Sequence, residues 1–283
     1  MFGNFNSPNP IQPLNVGSVV SAGMRLYRSH LKKYFLIALK AYAWLLVPIY
    51  GWVKFYALSA LISRLAFGEL VNQPESVSSG QRFVNSRLWG FFVNMILMFA
   101  ISIGIAILFI LIGSLLMGIS AVLLGGLQAG NIATTIILIL IALVVLIITF
   151  TGALWIGTRF YLVDVPLAIE DNVNGSSTIN RSWELTKGNI FRILLISLIG
   201  FLITIPIQFI IQIITTIIEL IFTTLLKEDI LSSSIISFVL TFGLSFVGGA
   251  LILPFWQTVK AVVYYDLRSR REGLGLQLRD HDI

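Results

Sequence analysis

The chain has 283 residues, of which 57% are hydrophobic and only 11% are charged, and its formal net charge is +6. Soluble domains carry about 25% charged residues, so this composition excludes an ordinary soluble protein and indicates a membrane protein. The basic residues flank apolar runs and form no face that alternates with exposed aromatics, which excludes a nucleic-acid-binding role. The positive-inside rule and anionic lipid headgroups account for the charge instead.

The N-terminal region begins with a Pro- and Asn-rich stretch, residues 1–15, which is predicted to be a disordered tail. Residues 16–35 then place apolar side chains at helical spacing, which predicts a basic amphipathic helix at the membrane interface. Its wet face carries four cations: Arg25, Arg28, Lys32 and Lys33. These side chains are predicted to contact headgroups or a partner, and they predict a cytoplasmic N-terminus.

Five apolar runs exceed the roughly 20 residues that a bilayer-spanning helix needs. They cover residues 34–66, 88–124, 132–163, 190–226 and 235–263. The first run contains Pro48 and Gly51 near its middle, and basic residues on both sides predict that it enters and returns. Because it is too short for two full crossings, it is either a short re-entrant hairpin or a single ordinary crossing.

These runs predict an all-α, polytopic transmembrane helix bundle of five or six membrane segments, with cytoplasmic amphipathic elbow helices. Residues 16–272 would form the membrane domain, and residues 273–283 a C-terminal tail that is cytoplasmic because of its arginines. The predicted location is a bacterial cell membrane or an internal, thylakoid-type membrane, crossed several times.

An elbow pattern recurs along the chain. Without gaps, residues 180–198 align with residues 21–39, so that Lys187 meets Arg28 and Arg192 meets Lys33. A weaker copy covers residues 83–96. The repeat predicts three units in which an amphipathic helix, a bend and a membrane helix follow one another. The units cover residues 16–62, 78–124 and 175–226.

The second strong elbow and the C-terminal end are also predicted to contact headgroups or a partner. The residues concerned are Arg181, Trp183, Lys187, Arg192, Arg268, Arg270 and Arg271.

A polar stripe follows one face of the apolar run over residues 203–226. Its members are spaced three or four apart: Thr204, Gln208, Gln212, Thr215, Glu219 and Thr223. Amides and a carboxylate facing lipid are costly, so the stripe should face protein or water. Two alternatives remain open, namely a lined cavity for a solute or lipid headgroup, and hydrogen bonds between helices.

Small residues recur four apart on the last apolar run: Ser237, Thr241, Ser245 and Gly249. Such a face lets helix backbones approach closely, so it predicts helix packing.

Catalytic patterns are missing from the sequence. The two histidines are not near paired acids, and there is no phosphate-binding glycine loop and no nucleophile elbow. The sequence therefore predicts a protein that is not an enzyme and has no metal or other cofactor.

Four stretches carry a resemblance to a known family: RSWELTKGNIFRIL (181–194), RFYLVDVPLAIED (159–171), VVYYDLRSRREGLGLQL (262–278) and the opening LNVGSVVSAGMRLYRSHLKKYF (14–35). Together they resemble the membrane domain of bacterial glycerophosphoryl diester phosphodiesterases, which many stand-alone membrane proteins share. The resemblance implies the fold and the membrane placement. It implies no hydrolysis, because in the full enzymes that activity belongs to a separate soluble barrel.

The sequence thus predicts a non-catalytic membrane protein, either a scaffold or a lipid-interacting accessory subunit. Its partners would be anionic lipid headgroups at the cytoplasmic face and a larger membrane protein complex. The alternative is a transporter or lipid-handling protein that uses the polar stripe.

Overall fold

The computed structural model describes residues 14–124, 132–225 and 230–273. The predicted tails, residues 1–15 and 273–283, fall outside the described residues except for positions 14, 15 and 273. The described residues form ten helices: α1 (Val16–Ser29), α2 (Leu31–Trp44), α3 (Tyr50–Leu70), α4 (Val77–Ser86), α5 (Leu88–Leu124), α6 (Ile132–Arg159), α7 (Asp164–Ile169), α8 (Ser177–Thr186), α9 (Ile190–Leu225) and α10 (Ile230–Glu272). Within the same ranges there is no strand, so the all-helical prediction is confirmed.

Four helical stretches are long and apolar enough to cross a membrane, as judged by length and composition. They are Leu88–Val122, Thr135–Ile169, Ile190–Phe222 and Ile235–Glu272. The most apolar 18-residue window of each stretch has a mean hydropathy between 2.2 and 3.1, which confirms a polytopic, membrane-embedded protein. Residues 34–66 are divided between α2 and α3 and are not among the four, so their entry into the membrane stays a prediction.

Buried side chains concentrate at one end of the long helices. They lie in α1 to α4, in α7 and α8, at the starts of α5 and α9, and in residues 250–267 of α10. We call this packed end the root layer. Beyond the root layer the long helices are exposed. In the first two spans no part of the most apolar window is buried, and in the last two spans only 22% and 11% of that window is buried.

Helix lengths explain this division into two parts. α5 has 37 residues and α10 has 43, so they extend about 55 and 65 Å at 1.5 Å per residue. The hydrocarbon core of a bilayer is only about 30 Å thick. One part of each helix therefore suffices to cross the bilayer, while the other part packs in the root layer.

The α2–α3 pair is joined by a tight turn over residues 45–49. Ile49 has a φ of 59°, in the left-handed region that non-glycine residues rarely adopt. A Cβ on Gly51 would collide with the backbone carbonyl oxygen of Trp44, so the turn needs glycine at this position. The turn exposes apolar side chains, among them Leu46 and Ile49.

In each of the three predicted elbow units two helices follow one another; α1 and α2 both have 14 residues, whereas α4 and α8, with 10 residues each, precede much longer helices. The breaks between the two fall at His30, at Arg87 and at residues 187–189. Two of the short helices have a side-chain N-cap: Asn15 Oδ1 accepts from the Ser18 N–H at 2.7 Å, and Ser76 Oγ from the Ser79 N–H at 3.1 Å.

Candidate functional site

A buried ion pair joins the short helix α7 to α10 in the root layer. Lys260 Nζ lies 2.8 Å from Asp164 Oδ1 and 3.0 Å from Oδ2. The Asp164 side chain is only 3% exposed, whereas that of Lys260 is 21% exposed. Both residues lie within candidate membrane spans, where a charge without a partner is costly. The pair therefore satisfies each charge with the other.

Two further polar side chains extend this pair into a network. The Gln257 amide, one turn before Lys260, donates to Asp164 Oδ2 at 3.2 Å. The Ser63 hydroxyl lies 2.6 Å from Gln257 Oε1 and 2.9 Å from the Gln257 carbonyl oxygen. Gln257 and Ser63 are buried. The network thus fixes α3, α7 and α10 relative to one another.

A cavity of about 220 Å³ lies beside the ion pair. Its walls are mostly apolar, and its lining consists of Tyr56, Met95, Met98, Phe160, Val163, Asp164 and Lys260. The Tyr56 hydroxyl donates to Asn94 Oδ1 at 2.8 Å, and the Asn94 amide donates to the Gly175 carbonyl oxygen at 3.1 Å. The cavity therefore combines an apolar wall from α5 and from residues 160–163, which follow α6, with a polar wall at the ion pair.

Sequence reasoning missed this site. The third predicted apolar run ends at residue 163, one position before Asp164, and neither Asp164 nor Lys260 is among the predicted site residues. The available signal was an acid that directly follows a long apolar run and is itself followed by another apolar stretch, VPLAI. Such an acid needs a basic partner, and Lys260 is the lysine that supplies it.

The cations predicted to meet headgroups fall into two groups. The first group comprises Arg25, Arg28, Lys32 and Lys33. Arg25, Arg28 and Lys32 are exposed and Lys33 is half-buried. None of the four forms an ion pair within the described residues. We call this group the α1–α2 basic surface.

The second group, from α8 to α10, mostly binds carboxylates of the same chain. Arg192 pairs with Asp266 at 2.6 Å, and Arg270 pairs with the same carboxylate at 3.0 Å. Asp266 is 5% exposed, so it needs such partners.

Arg181 binds Glu170 at 2.9 Å and also Glu272, which Arg268 reaches at 2.8 Å. Burial disfavours the charged guanidinium, but Glu170 and Glu272 outweigh that effect and raise the pKa of Arg181. These arginines therefore hold the root layer together in addition to any contact with lipid.

Three other predicted residues lie around this region. Trp183 stacks within an aromatic group, with its ring 5.7 Å from that of Trp155 and the Arg159 guanidinium 4.8 Å above it. Lys187 and Arg271 are exposed, and the Arg271 guanidinium donates to the Lys187 carbonyl oxygen.

The polar stripe on α9 is divided between two environments. Thr204 and Thr215 are buried, and their hydroxyls donate to carbonyl oxygens of their own helix, Phe201 and Ile211. Gln208, Gln212 and Glu219 are exposed. The side chain of Thr223 lies outside what the structure describes.

The small-residue face of α10 meets two different neighbours. A Cβ on Gly249 would collide with the Tyr42 ring of α2, whereas one on Gly248 would collide with Ile211 of α9. Ser237 and Thr241 are half-buried, and Ser245 is exposed. Gly248, which the spacing did not single out, is thus a point of close approach between α9 and α10.

No group of three or more residues that could hold a metal ion occurs among the described histidines, aspartates and glutamates. The network is a set of hydrogen bonds around one ion pair, in a membrane-embedded helical protein.

Comparison with known families places this helical membrane protein. A family described as a domain of unknown function, DUF7847, matches residues 74–267, which is more than half of the chain. The chain belongs to this family. No curated protein and no solved structure matches it. The resemblance to the membrane domain of glycerophosphoryl diester phosphodiesterases is not tested by these comparisons and stays a prediction.

Proposed function

We propose that the protein is a non-catalytic membrane scaffold that binds anionic lipid headgroups through the α1–α2 basic surface. This proposal rests on a difference between two groups of basic side chains. Arginines of α8 to α10 are bound to carboxylates of the chain, whereas Arg25, Arg28 and Lys32 are exposed and have no such partner among the described residues. Cations that are not needed to hold the fold are available to an external anion.

Electrostatics supports a lipid as that anion. A Lys or Arg near an anionic leaflet contributes about 1 kcal/mol of binding free energy, and the four cations on the consecutive helices α1 and α2 would add their contributions. The same cations and the arginines of the C-terminal end support cytoplasmic termini by the positive-inside rule. The membrane would be the cell membrane or an internal membrane of a bacterium.

We further propose that the α2–α3 turn dips into this leaflet as a short re-entrant hairpin and adds a fifth membrane segment. Its apolar tip supports this placement, because Leu46 is 65% and Ile49 61% exposed. Tyr50 and Trp52 follow directly and are also about half exposed, as is typical of interfacial anchors.

The exposed amides of α9 support a scaffold or accessory subunit over a transporter. Gln208 and Gln212 lie on the outside of a candidate membrane span, where lipid contact would be costly. Contact with another chain would satisfy them through hydrogen bonds between helices. A transport path would need the stripe to line an enclosed route through the molecule.

Lipid counting by native mass spectrometry tests the headgroup proposal. The full-length protein is titrated with dioleoylphosphatidylglycerol and dioleoylphosphatidylcholine, and the bound lipids are counted. We expect a preference for the anionic lipid that is lost in the variant Arg25→Gln, Arg28→Gln, Lys32→Gln, Lys33→Gln. The matched control exchanges the same positions between Arg and Lys and keeps the charge, so it should keep the preference. An unchanged preference in the Gln variant would refute the proposal.

A further inference from the structure

We propose that the cavity beside Asp164 and Lys260 is a binding site for the head of an uncharged lipid, one that carries hydroxyl or ester oxygens. This site is separate from the α1–α2 basic surface and does not depend on it. The proposal combines the volume of the cavity, the chemistry of its two walls and the open surface next to it.

The volume sets the size of the occupant. About 220 Å³ corresponds to the space of roughly seven water molecules at about 30 Å³ each. This is below the roughly 300–1,000 Å³ of pockets that enclose a drug-sized ligand. A glycerol-sized head fits, whereas a whole lipid does not.

The polar wall sets the charge of the occupant. Lys260 and Asp164 neutralise one another, so an anionic head would add a third charge without a partner in a poorly hydrated place. The ammonium group has three N–H donors, of which Asp164 takes two, and the carboxylate has about four acceptor sites. An uncharged oxygen can accept the remaining N–H, and a hydroxyl can donate to the carboxylate.

The apolar wall provides the path for the acyl chains. Met95 and Met98 lie on α5, and Phe160 follows α6. Further along α5 the side chains open to the surroundings, with Phe99 65% and Ile103 43% exposed. Acyl chains that leave the cavity would therefore run along α5 and α6, the two helices whose apolar windows are not buried within the chain.

The test uses the full-length protein and 1,2-dioleoylglycerol as the probe, with binding measured by native mass spectrometry. We expect saturable binding of one molecule, and a loss of at least tenfold in affinity in Met98→Trp, which fills the cavity and leaves both residues of the ion pair unchanged. Leu36→Trp, at an exposed position on α2 rather than on α5 or α6, is the matched control and should bind as the wild type does. Thermal unfolding shows whether each variant is folded, and Met95→Phe replaces Met98→Trp if that variant is not.

The competing lipid is 1,2-dioleoyl phosphatidic acid, which has the same chains and an added phosphate. We expect it to bind at least tenfold more weakly at the site that Met98→Trp closes. The proposal is overturned if wild-type protein binds no dioleoylglycerol, if the cavity-filling variant binds it unchanged, or if phosphatidic acid binds there equally well.

Discussion

Asp164 and Lys260 show how a single pair of residues can decide the stability of a membrane fold. Their mutual attraction offsets the cost of placing each charge in a poorly hydrated environment. Removing one partner leaves the other charge buried, whereas removing both leaves an apolar or weakly polar contact. The two kinds of substitution are therefore expected to differ strongly.

We expect Lys260→Met to lower the free energy of unfolding by about 3–5 kcal/mol, since Asp164 is 3% exposed and would lose its charged partner. The double variant Asp164→Asn, Lys260→Met should recover a large part of that loss. Thermal unfolding in detergent measures both effects. Lys40→Met is the control, because Lys40 is exposed and lies 3.5 Å from Gln81 only. If the single and the double variant lost the same free energy of unfolding, the two residues would not stabilise one another.

Glu75 provides a pH dependence whose sign follows from its partners. Burial alone would raise its pKa, but hydrogen bonds from Arg64 and Ser79 and the charge of Arg64 outweigh burial and hold the pKa of this carboxyl below its usual range. A carboxyl whose pKa is lower in the folded state stabilises the fold at pH above its unfolded value of about 4.3. That contribution is lost as the pH falls through the lower, folded value.

We therefore expect Glu75→Gln to reduce the melting temperature at pH 7. On acidification from pH 7 to pH 4, the melting temperature of this variant should fall by less than that of the wild type. The charged contact with Arg64 at 2.6 Å is the physical reason. The matched control is Glu184→Gln, which removes an exposed acid. If the melting temperatures of the wild type and of Glu75→Gln fell by the same amount across this pH range, Glu75 would not be the source of the pH dependence.

At the scale of single elements, α9 shows what helical spacing can and cannot predict. Successive residues turn by about 100° in an α-helix, so Thr204 and Thr215 lie only about 20° apart. Gln208 and Gln212 are turned from Thr204 by about 40° and 80° in the same direction. The two threonines are buried and the two amides are exposed. The spacing predicts one continuous stripe, but in the structure the edge of the buried face runs along that stripe. The position of this edge depends on where α10 packs.

The α2–α3 turn was more accessible to prediction. Pro48 and Gly51 placed a bend in the middle of residues 34–66, and the turn lies at residues 45–49. Its depth in a membrane stays a prediction.

We expect Gly51→Ala to destabilise the protein by about 1–3 kcal/mol, because the added Cβ would collide with the Trp44 carbonyl oxygen at the turn. Gly157→Ala is the matched control. Gly157 lies in α6, and an added Cβ there would have nothing within 4 Å. The alanine variant should therefore be more stable by up to about 1 kcal/mol, because alanine has the higher helix propensity. Thermal unfolding distinguishes the two directions. A stabilised Gly51→Ala variant would show that the turn can rearrange at no cost.

At the scale of the whole molecule, the sequence could predict which stretches are apolar helices, but not which of their ends pack together. Asp164 and Lys260 are 96 positions apart, and Ser63 and Gln257 are 194 positions apart. Helical periodicity reports neighbours three or four residues away, so it carries no information on contacts at these separations. The root layer, with its ion pairs and cavity, is therefore visible only in three dimensions.

The same arrangement makes a prediction about topology. In the root layer His30 lies 3.3 Å from Glu69, and Arg64 contacts Glu75, so both ends of the α2–α3 pair lie at one end of the molecule. α6 begins far from this layer, since its 28 residues extend about 42 Å. A hairpin places α1 and α4 on the same side of the membrane, whereas a single crossing would place them on opposite sides.

Single cysteines can decide this, because the natural chain has none and gives no background. We expect Ser21→Cys and Ser78→Cys, both exposed, to react with a membrane-impermeant maleimide only after the cells are permeabilised. Ile132→Cys, which is 77% exposed at the start of α6, should react in intact cells. Labelling of Ser78→Cys from outside, with Ser21→Cys still protected, would mean that residues 34–66 cross the membrane once, and the re-entrant hairpin would then be wrong.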